Sequence, residues 1–156
     1  MREEVVETLR GKRLILHFDG KIVKEMSDLK NICHDVERIA ISVTSPDFHV
    51  KDDILLGIIQ SESSKGSDQA EIILKLLEYY EISEQIVAVC TDTTSSNTGV
   101  KSGAIVLLSN VLGVPLLWLM CRHHIFEVHI SHFMTAVTGE KTKSPRRALY
   151  TQLQEA

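Results

Sequence analysis

IVAVCTDTT, residues 86–94, is an apolar run that ends at an aspartate, Asp92. A second stretch of the same kind, LILHFDGK at residues 14–21, ends its apolar part at Asp19. Short apolar runs bounded by turn residues are typical of buried strands. Carboxylates at the ends of such strands are a common way to hold Mg²⁺ or Mn²⁺, which prefer oxygen ligands. The alternative is that both aspartates only terminate strands, because Asp favours turns.

The composition is that of an ordinary globular protein, with 156 residues, 44% hydrophobic and 24% charged. This length favours one domain with a sizeable core. The net charge of −4 does not indicate a stand-alone nucleic-acid binder, which usually has a basic face. The three cysteines, Cys33, Cys90 and Cys121, are widely spaced, which favours a reducing, intracellular setting over a disulfide framework. No signal peptide or membrane span is expected, because the apolar run at 111–121 is short and interrupted.

The pattern along the chain predicts alternating strands and helices. A charged helix over residues 1–12 is closed by Gly11. Strands are predicted at 14–18, 37–44, 53–60, 86–90 and 116–120, with a turn at Gly20-Lys21. Helices are predicted from Ser67 or Asp68 to Tyr80, at 103–112 and at 124–137. Trp118 is expected in the core, because its neighbours in the fifth strand are apolar.

The succession β-β-β-α-β-α-β-α combines an antiparallel meander with parallel crossovers. It predicts an α/β fold with a mixed five-stranded sheet and helices on both faces, the arrangement of ribonuclease H-like folds. In such a sheet strand four lies beside strand one, so Asp19 and Asp92 would share a metal at neighbouring strand ends. We expect residues 1–12 to be the tail of an upstream segment and 13–138 to be the N-terminal part of the core. Residues 139–156 would be a linker and the start of a helical insertion.

The segments CTDTTSSNTG at 90–99, GA at 103–104 and LWLMCRHHI at 117–125 resemble the catalytic domain of hAT-type transposases. The resemblance covers roughly residues 13–150 and includes transposon-derived hAT-like proteins. Asp19 and Asp92 match the family's first two catalytic acids, and Cys121 and His124 match its Cys-x-x-His motif. Asn97 lies near the position of a family asparagine but is offset by one residue.

The resemblance implies a DNA transposase that cleaves and joins DNA with an Asp-Asp-Glu triad and two Mg²⁺ ions. Asp19 and Asp92 would be catalytic metal ligands, and Cys121, His124 and Asn97 would be accessory residues near the active site. The family's Glu follows a long helical insertion and has no counterpart up to Ala156, so we expect weak binding of Mg²⁺ or Mn²⁺ and little or no strand-transfer activity of the chain alone. DNA would be the partner and the nucleus the location. Weak DNA contacts are predicted for a small basic set: Arg122, Lys141, Lys143, Arg146 and Arg147.

Four alternatives remain open at this stage. Cys121 and His124, with His129 and His132, could bind zinc, although no second close cysteine pair supports this. The loop at 93–99 could cradle phosphate, or it could be a plain helix-capping loop. The chain could also be a non-catalytic, transposon-derived interaction or dimerisation module, which would form a homo-oligomer. An ATP-binding relative of the actin and hexokinase type is the most distant alternative, because its second phosphate motif is not evident.

Overall fold

A computed structural model describes residues 2–26, 33–46 and 53–139 of the protein. In chain order its strands are β1 (Leu14–Met26), β2 (Cys33–Thr44), β3 (Ile54–Ser61), β4 (Ile86–Thr91) and β5 (Leu117–Met120). Its helices are α1 (Arg2–Leu9), α2 (Gly66–Tyr79), α3 (Ser95–Thr98), α4 (Ala104–Leu112) and α5 (Arg122–Thr138), with a 3₁₀ turn at Ser83–Gln85. The predicted linker at 139–144 and the helix after it lie outside the described residues from position 140 onward.

The five strands form one mixed sheet in the order β3-β2-β1-β4-β5. β1 pairs antiparallel with β2, and β2 pairs antiparallel with β3. β4 pairs parallel with both β1 and β5. The predicted mixed α/β sheet is therefore confirmed, and its strand order is consistent with a ribonuclease H-like arrangement. The carboxyl ends of β1, β3, β4 and β5 all point to the same edge of the sheet.

The predicted turn at Gly20-Lys21 is wrong, because β1 continues through it for 13 residues. Gly20 pairs with Ile39 and Lys21 pairs with Arg38, so both residues stay in the antiparallel ladder. The partner strand β2 is also longer than predicted, and it offers a ladder partner to every residue of β1 from Ile15 to Met26. Continued pairing satisfies the backbone groups that a turn would have left free. Asp19 consequently lies inside β1 and does not end it.

One face of the sheet carries the core. Leu14, Leu16 and Phe18 of β1 are buried and alternate with Ile15, His17 and Asp19 on the other face. The helices complete this core with Leu9 of α1, Ile73 and Leu77 of α2 and Leu108 of α4. Within the described residues up to Cys121, these helices all contribute to that single cluster. The predicted helical layer on the opposite face stays a prediction.

Trp118 is not a core residue, which corrects the expectation from its apolar neighbours. The side chain is 39% exposed, and Leu117 and Met120 beside it are more exposed still. β5 is the outer strand of the sheet and is paired only with β4. An edge strand has fewer neighbours that could cover its side chains.

The chain divides into two compact units, Met1–Cys121 and Arg122–Ala156. The sheet and helices α1 to α4 belong to the first unit, and α5 belongs to the second. No helix among the described residues is both long enough and apolar enough to cross a bilayer.

Candidate metal centre

The register of the sheet relates the two predicted ligands. Leu16 pairs with Val89 and His17 pairs with Cys90, the last pair of the parallel ladder between β1 and β4. Continued by two residues, this register would set Asp19 opposite Asp92, which follows the last residue of β4. Asp19 alternates with the buried Leu16 and Phe18 and therefore belongs to the face opposite the core.

Asp92 follows β4 directly and is held by three hydrogen bonds. Thr94 donates to Asp92 Oδ1 from its backbone N–H at 3.0 Å and from its hydroxyl at 2.7 Å. Asn97 Nδ2 donates to the same oxygen at 2.6 Å. All three donors reach Oδ1, so Oδ2 has no partner among the residues that the structure describes. The carboxylate is fixed in orientation while one of its oxygens remains available.

Asn97 is the buried support of this arrangement. Its side chain is only 5% exposed and lies in the short helix α3. Besides Asp92 Oδ1, Asn97 Nδ2 donates to Thr91 Oγ1 at 2.8 Å. Its carbonyl oxygen, Oδ1, is buried and has no partner within the described part of the chain. The sequence predicted Asn97 as an accessory residue, and it contacts the predicted ligand directly.

Thr91 and Thr94 were not predicted as part of the site. An Asp followed two residues later by Thr is the pattern of a local turn in which the carboxylate accepts the backbone N–H of that second residue. That signal is present at 92–94, but it is common in loops that bind nothing. Thr91 is one of several threonines in this region, and only the fold brings its hydroxyl to Asn97.

Asp19 differs from Asp92 in having a carboxylate without a hydrogen-bond partner among the described residues. The side chain is exposed, and no hydrogen bond or ion pair in the described ranges involves it. On the ladder it pairs with Ala40 of β2, which adds no polar group. The site therefore contains one carboxylate held by donors and one that is free to turn toward a cation.

Three further titratable groups lie near the two aspartates. His17 shares their face of β1; burial lowers its pKa below 6.5, and the nearby Asp53 carboxylate partly opposes this shift. His17 Nε2 also lies 2.7 Å from Thr44 Oγ1. Burial raises the pKa of the Cys90 thiol, and the neighbouring Cys121 raises it further. The Cys121 N–H donates to the Thr91 carbonyl at 2.9 Å, which places Cys121 beside Asp92 at the strand ends.

Several of the remaining predicted residues lie outside the unit that contains the two aspartates. His124 and Arg122 belong to α5, in the second unit, as do His129 and His132. Lys141, Lys143, Arg146 and Arg147 lie outside the described residues. In the ranges that the structure does describe, no three His, Cys, Asp or Glu side chains converge in a way that could hold a metal. The candidate ligands in the described part of the chain are thus the two carboxylates, Asp19 and Asp92.

The loop at 93–99, for which a phosphate cradle was considered, borders an open depression of about 740 Å³. Ser95, Ser96 and Gly99 line it, as do Lys65, Lys101 and Gly66, the first residue of α2. The sequence also placed Ser67 or Asp68 as the cap at the start of α2, and this is wrong, since the helix begins at Gly66 and its N-cap residue Lys65 makes no side-chain capping hydrogen bond.

A scan against protein-family models and a search of curated proteins both find no match for this chain. The fold places the chain in the mixed α/β class with a ribonuclease H-like strand order.

Proposed function

We propose that residues 13–138 form part of a ribonuclease H-like nucleic-acid-processing core, related to hAT-type transposases, in which Asp19 and Asp92 bind Mg²⁺ or Mn²⁺. The observation that supports this proposal is the parallel register of β1 and β4, which, continued two residues past the His17–Cys90 pair, would set Asp19 opposite Asp92. In open α/β sheets, ligands bind at the carboxyl ends of the strands, where the order of strands reverses. β1 and β4 are such a pair in this sheet.

The two aspartates could occupy two positions in the coordination shell of a hard divalent cation. Asp92 Oδ2 and both oxygens of Asp19 lack partners in the described structure, and oxygen is the ligand type that Mg²⁺ and Mn²⁺ prefer. Water would fill the other positions, since no third side chain of the described ranges joins the pair. Such a centre binds metal weakly.

A bound metal ion of this kind activates an attacking oxygen or stabilises a leaving oxygen at phosphorus. The contribution of the chain is to hold the two carboxylates side by side on a rigid sheet. The partner supported by this proposal is DNA, whose phosphate groups could also meet Lys65 and Lys101 at the depression beside the 93–99 loop. The proposal concerns metal binding by the pair, because strand transfer also needs a third acid that the resemblance does not locate in this chain.

The test is a calorimetric Mn²⁺ titration of the purified chain beside its Asp19→Asn/Asp92→Asn double variant. We expect saturable binding in the wild type and none in the variant. Circular dichroism of both proteins checks that the fold is retained. A folded wild type without saturable Mn²⁺ binding would contradict the proposal, and so would equal binding in both proteins.

A second candidate function, that of a dimerisation module, is favoured by an observation on α5. One side of this helix carries four exposed apolar side chains at four- and three-residue steps: Phe126, Ile130, Phe133 and Val137, each about 59–65% exposed. This is the spacing of a coiled-coil seam. A second copy of the chain, packing its own α5 against this stripe, would bury all four.

Sedimentation velocity tests this second candidate. The wild type should associate with rising concentration, and Phe126→Ser/Phe133→Ser should remain monomeric. Val128→Ser is the matched control, because Val128 is an exposed apolar residue on the opposite side of the same helix. A wild type that stays monomeric at high concentration would rule the candidate out, and so would a control that dissociates as readily as the seam variant.

A further inference from the structure

Asn97 is a buried polar residue whose side-chain amide donates a hydrogen bond to Asp92. We propose that Asn97 is a positioning residue for metal binding: it engages Asp92 Oδ1 so that Oδ2 alone is presented to the cation. This inference rests on the proposed function and deepens it, since it states how one of the two ligands is held.

The first step of the argument is the convergence of donors on one oxygen. Asn97 Nδ2 and the two donors of Thr94 all reach Asp92 Oδ1, at 2.6 to 3.0 Å. A carboxylate oxygen that accepts three hydrogen bonds has little remaining capacity for a metal ion. The other oxygen has none of these bonds. The expected coordination by Asp92 is therefore through a single oxygen.

The second step concerns which donor fixes the carboxylate to the rest of the fold. Thr94 is exposed and lies only two residues from Asp92. Its two hydrogen bonds to Asp92 are therefore local to this turn and do not link the carboxylate to a buried part of the fold. Asn97 is buried and also donates to the Thr91 hydroxyl, which is 2% exposed. Its amide thus connects Asp92 to the end of β4. Groups that hold a metal ligand from behind commonly change metal affinity by about 10–100-fold when they are removed.

The third step explains why an asparagine is needed at this position. A side-chain amide has two N–H donors on one nitrogen, and both are used here. A serine or threonine hydroxyl has one donor and could not serve Thr91 and Asp92 together. An aspartate would have no donor when ionised and would place a second negative charge against Asp92. A hydroxyl would therefore lose one of the two hydrogen bonds, and an aspartate would lose both and change the charge.

The experiment compares Mn²⁺ affinity by calorimetry in the wild type, Asn97→Ala and Thr91→Val. Asn97→Ala removes the bond to Asp92, whereas Thr91→Val removes the other bond of the same nitrogen and leaves Asp92 held. We expect Asn97→Ala to weaken Mn²⁺ binding about 10-fold or more and Thr91→Val to change it by less than about 3-fold. Asn97→Ser is a second, more conservative variant in case the alanine variant does not fold, and it should also weaken binding.

A spectroscopic measurement separates positioning from a purely structural role. The side-chain ¹⁵N–¹H₂ signals of Asn97 should shift on addition of Mg²⁺ to the wild type and should not shift in Asp92→Asn. Mn²⁺ binding by the Asn97 variants within 2-fold of wild type, or unshifted Asn97 signals in a wild type that binds, would overturn this inference and leave the metal site standing. A wild type that binds no metal would overturn both this inference and the proposed metal site.

Discussion

Asp19 and Asp92 have the same place in the sequence pattern, yet the fold gives them different surroundings. Asp92 accepts three hydrogen bonds on one oxygen, and Asp19 accepts none from the described residues. A group with bonded, partly buried neighbours leaves those neighbours unsatisfied when it is removed, whereas an exposed free group does not. The two acids should therefore contribute unequally to stability.

The first prediction follows from this difference. Without metal, Asp92→Ala should lower the free energy of unfolding by about 1–3 kcal/mol, because Asn97 and Thr94 lose their shared acceptor. Asp19→Ala should change it by no more than about 0.5 kcal/mol, as is usual for surface positions. Urea denaturation in the presence of a chelator measures both values. Equal losses for the two variants would mean that the hydrogen bonds to Asp92 contribute nothing net.

His17, on the same face, gives a second residue-scale prediction. Because burial lowers its pKa below 6.5, the unfolded chain binds the proton more readily than the folded chain does. The contribution of the neutral histidine to stability is thus complete above about pH 6.5 and is lost as the pH falls from there toward the lowered pKa. His17→Gln should flatten this decline in urea denaturation between pH 7 and pH 5. A variant with the same slope as the wild type would show that other groups cause the pH dependence.

At the scale of elements, the sequence pattern predicted which helices and strands form better than it predicted where they begin and end. α4 was predicted closely, because Gly113 in the left-handed conformation, with φ of 71°, ends it. β1 was predicted eight residues too short at its end, because Asp-Gly-Lys is ordinarily a turn signal. Here the long partner strand β2 overrides that local preference. Pairing between strands is a property of two segments, and a single segment does not encode it.

Close backbone contact between α2 and the loop before α4 is a feature that no pattern in the sequence indicated. A Cβ atom added at Gly66 would lie 2.4 Å from the Ser96 carbonyl oxygen and 2.5 Å from that of Ser102. These are backbone atoms, so no rotation of a side chain could relieve the contact. The start of α2 and the segment 95–102, which contains α3, both border the depression with Lys65 and Lys101 and can approach this closely because Gly66 has no side chain.

The third prediction tests this contact. Gly66→Ala should lower the free energy of unfolding by about 1–3 kcal/mol or more, because the added methyl group overpacks the junction. Gly57→Ala is the matched control, since its added atom would meet only ordinary contacts at 3.7 Å. The control should be neutral or slightly stabilising, because it restricts the unfolded chain. Urea denaturation compares the two. Equal effects would mean that the loop moves aside at little cost.

At the scale of the molecule, one face of the sheet carries the core and the other carries the candidate ligand Asp19. The buried side is formed by apolar residues whose alternation could be recognised from the sequence, such as Leu14, Leu16 and Phe18. The opposite side combines His17 and Asp19 with exposed apolar residues such as Leu55 and Leu117, and Asp92 follows the last residue of β4. The sequence pattern predicted Asp19 and Asp92 as candidate ligands and Asn97 as an accessory residue. It did not indicate Thr91, because only the fold brings the Thr91 hydroxyl to Asn97.

The fourth prediction connects metal binding to the stability of the whole fold. A ligand that binds the folded chain alone stabilises it by an amount that grows with concentration, about 2.7 kcal/mol at one hundred times the dissociation constant. The melting temperature of the wild type should thus keep rising with Mn²⁺, and that of Asp19→Asn/Asp92→Asn should not. KCl at matched ionic strength is the control for charge screening, which needs no site. If KCl or the double variant reproduced the rise, the stabilisation would come from general screening of an acidic chain. A rise confined to Mn²⁺ and to the intact pair would instead make the two carboxylates a binding site, because only a site built by the folded sheet can distinguish the folded chain from the unfolded one.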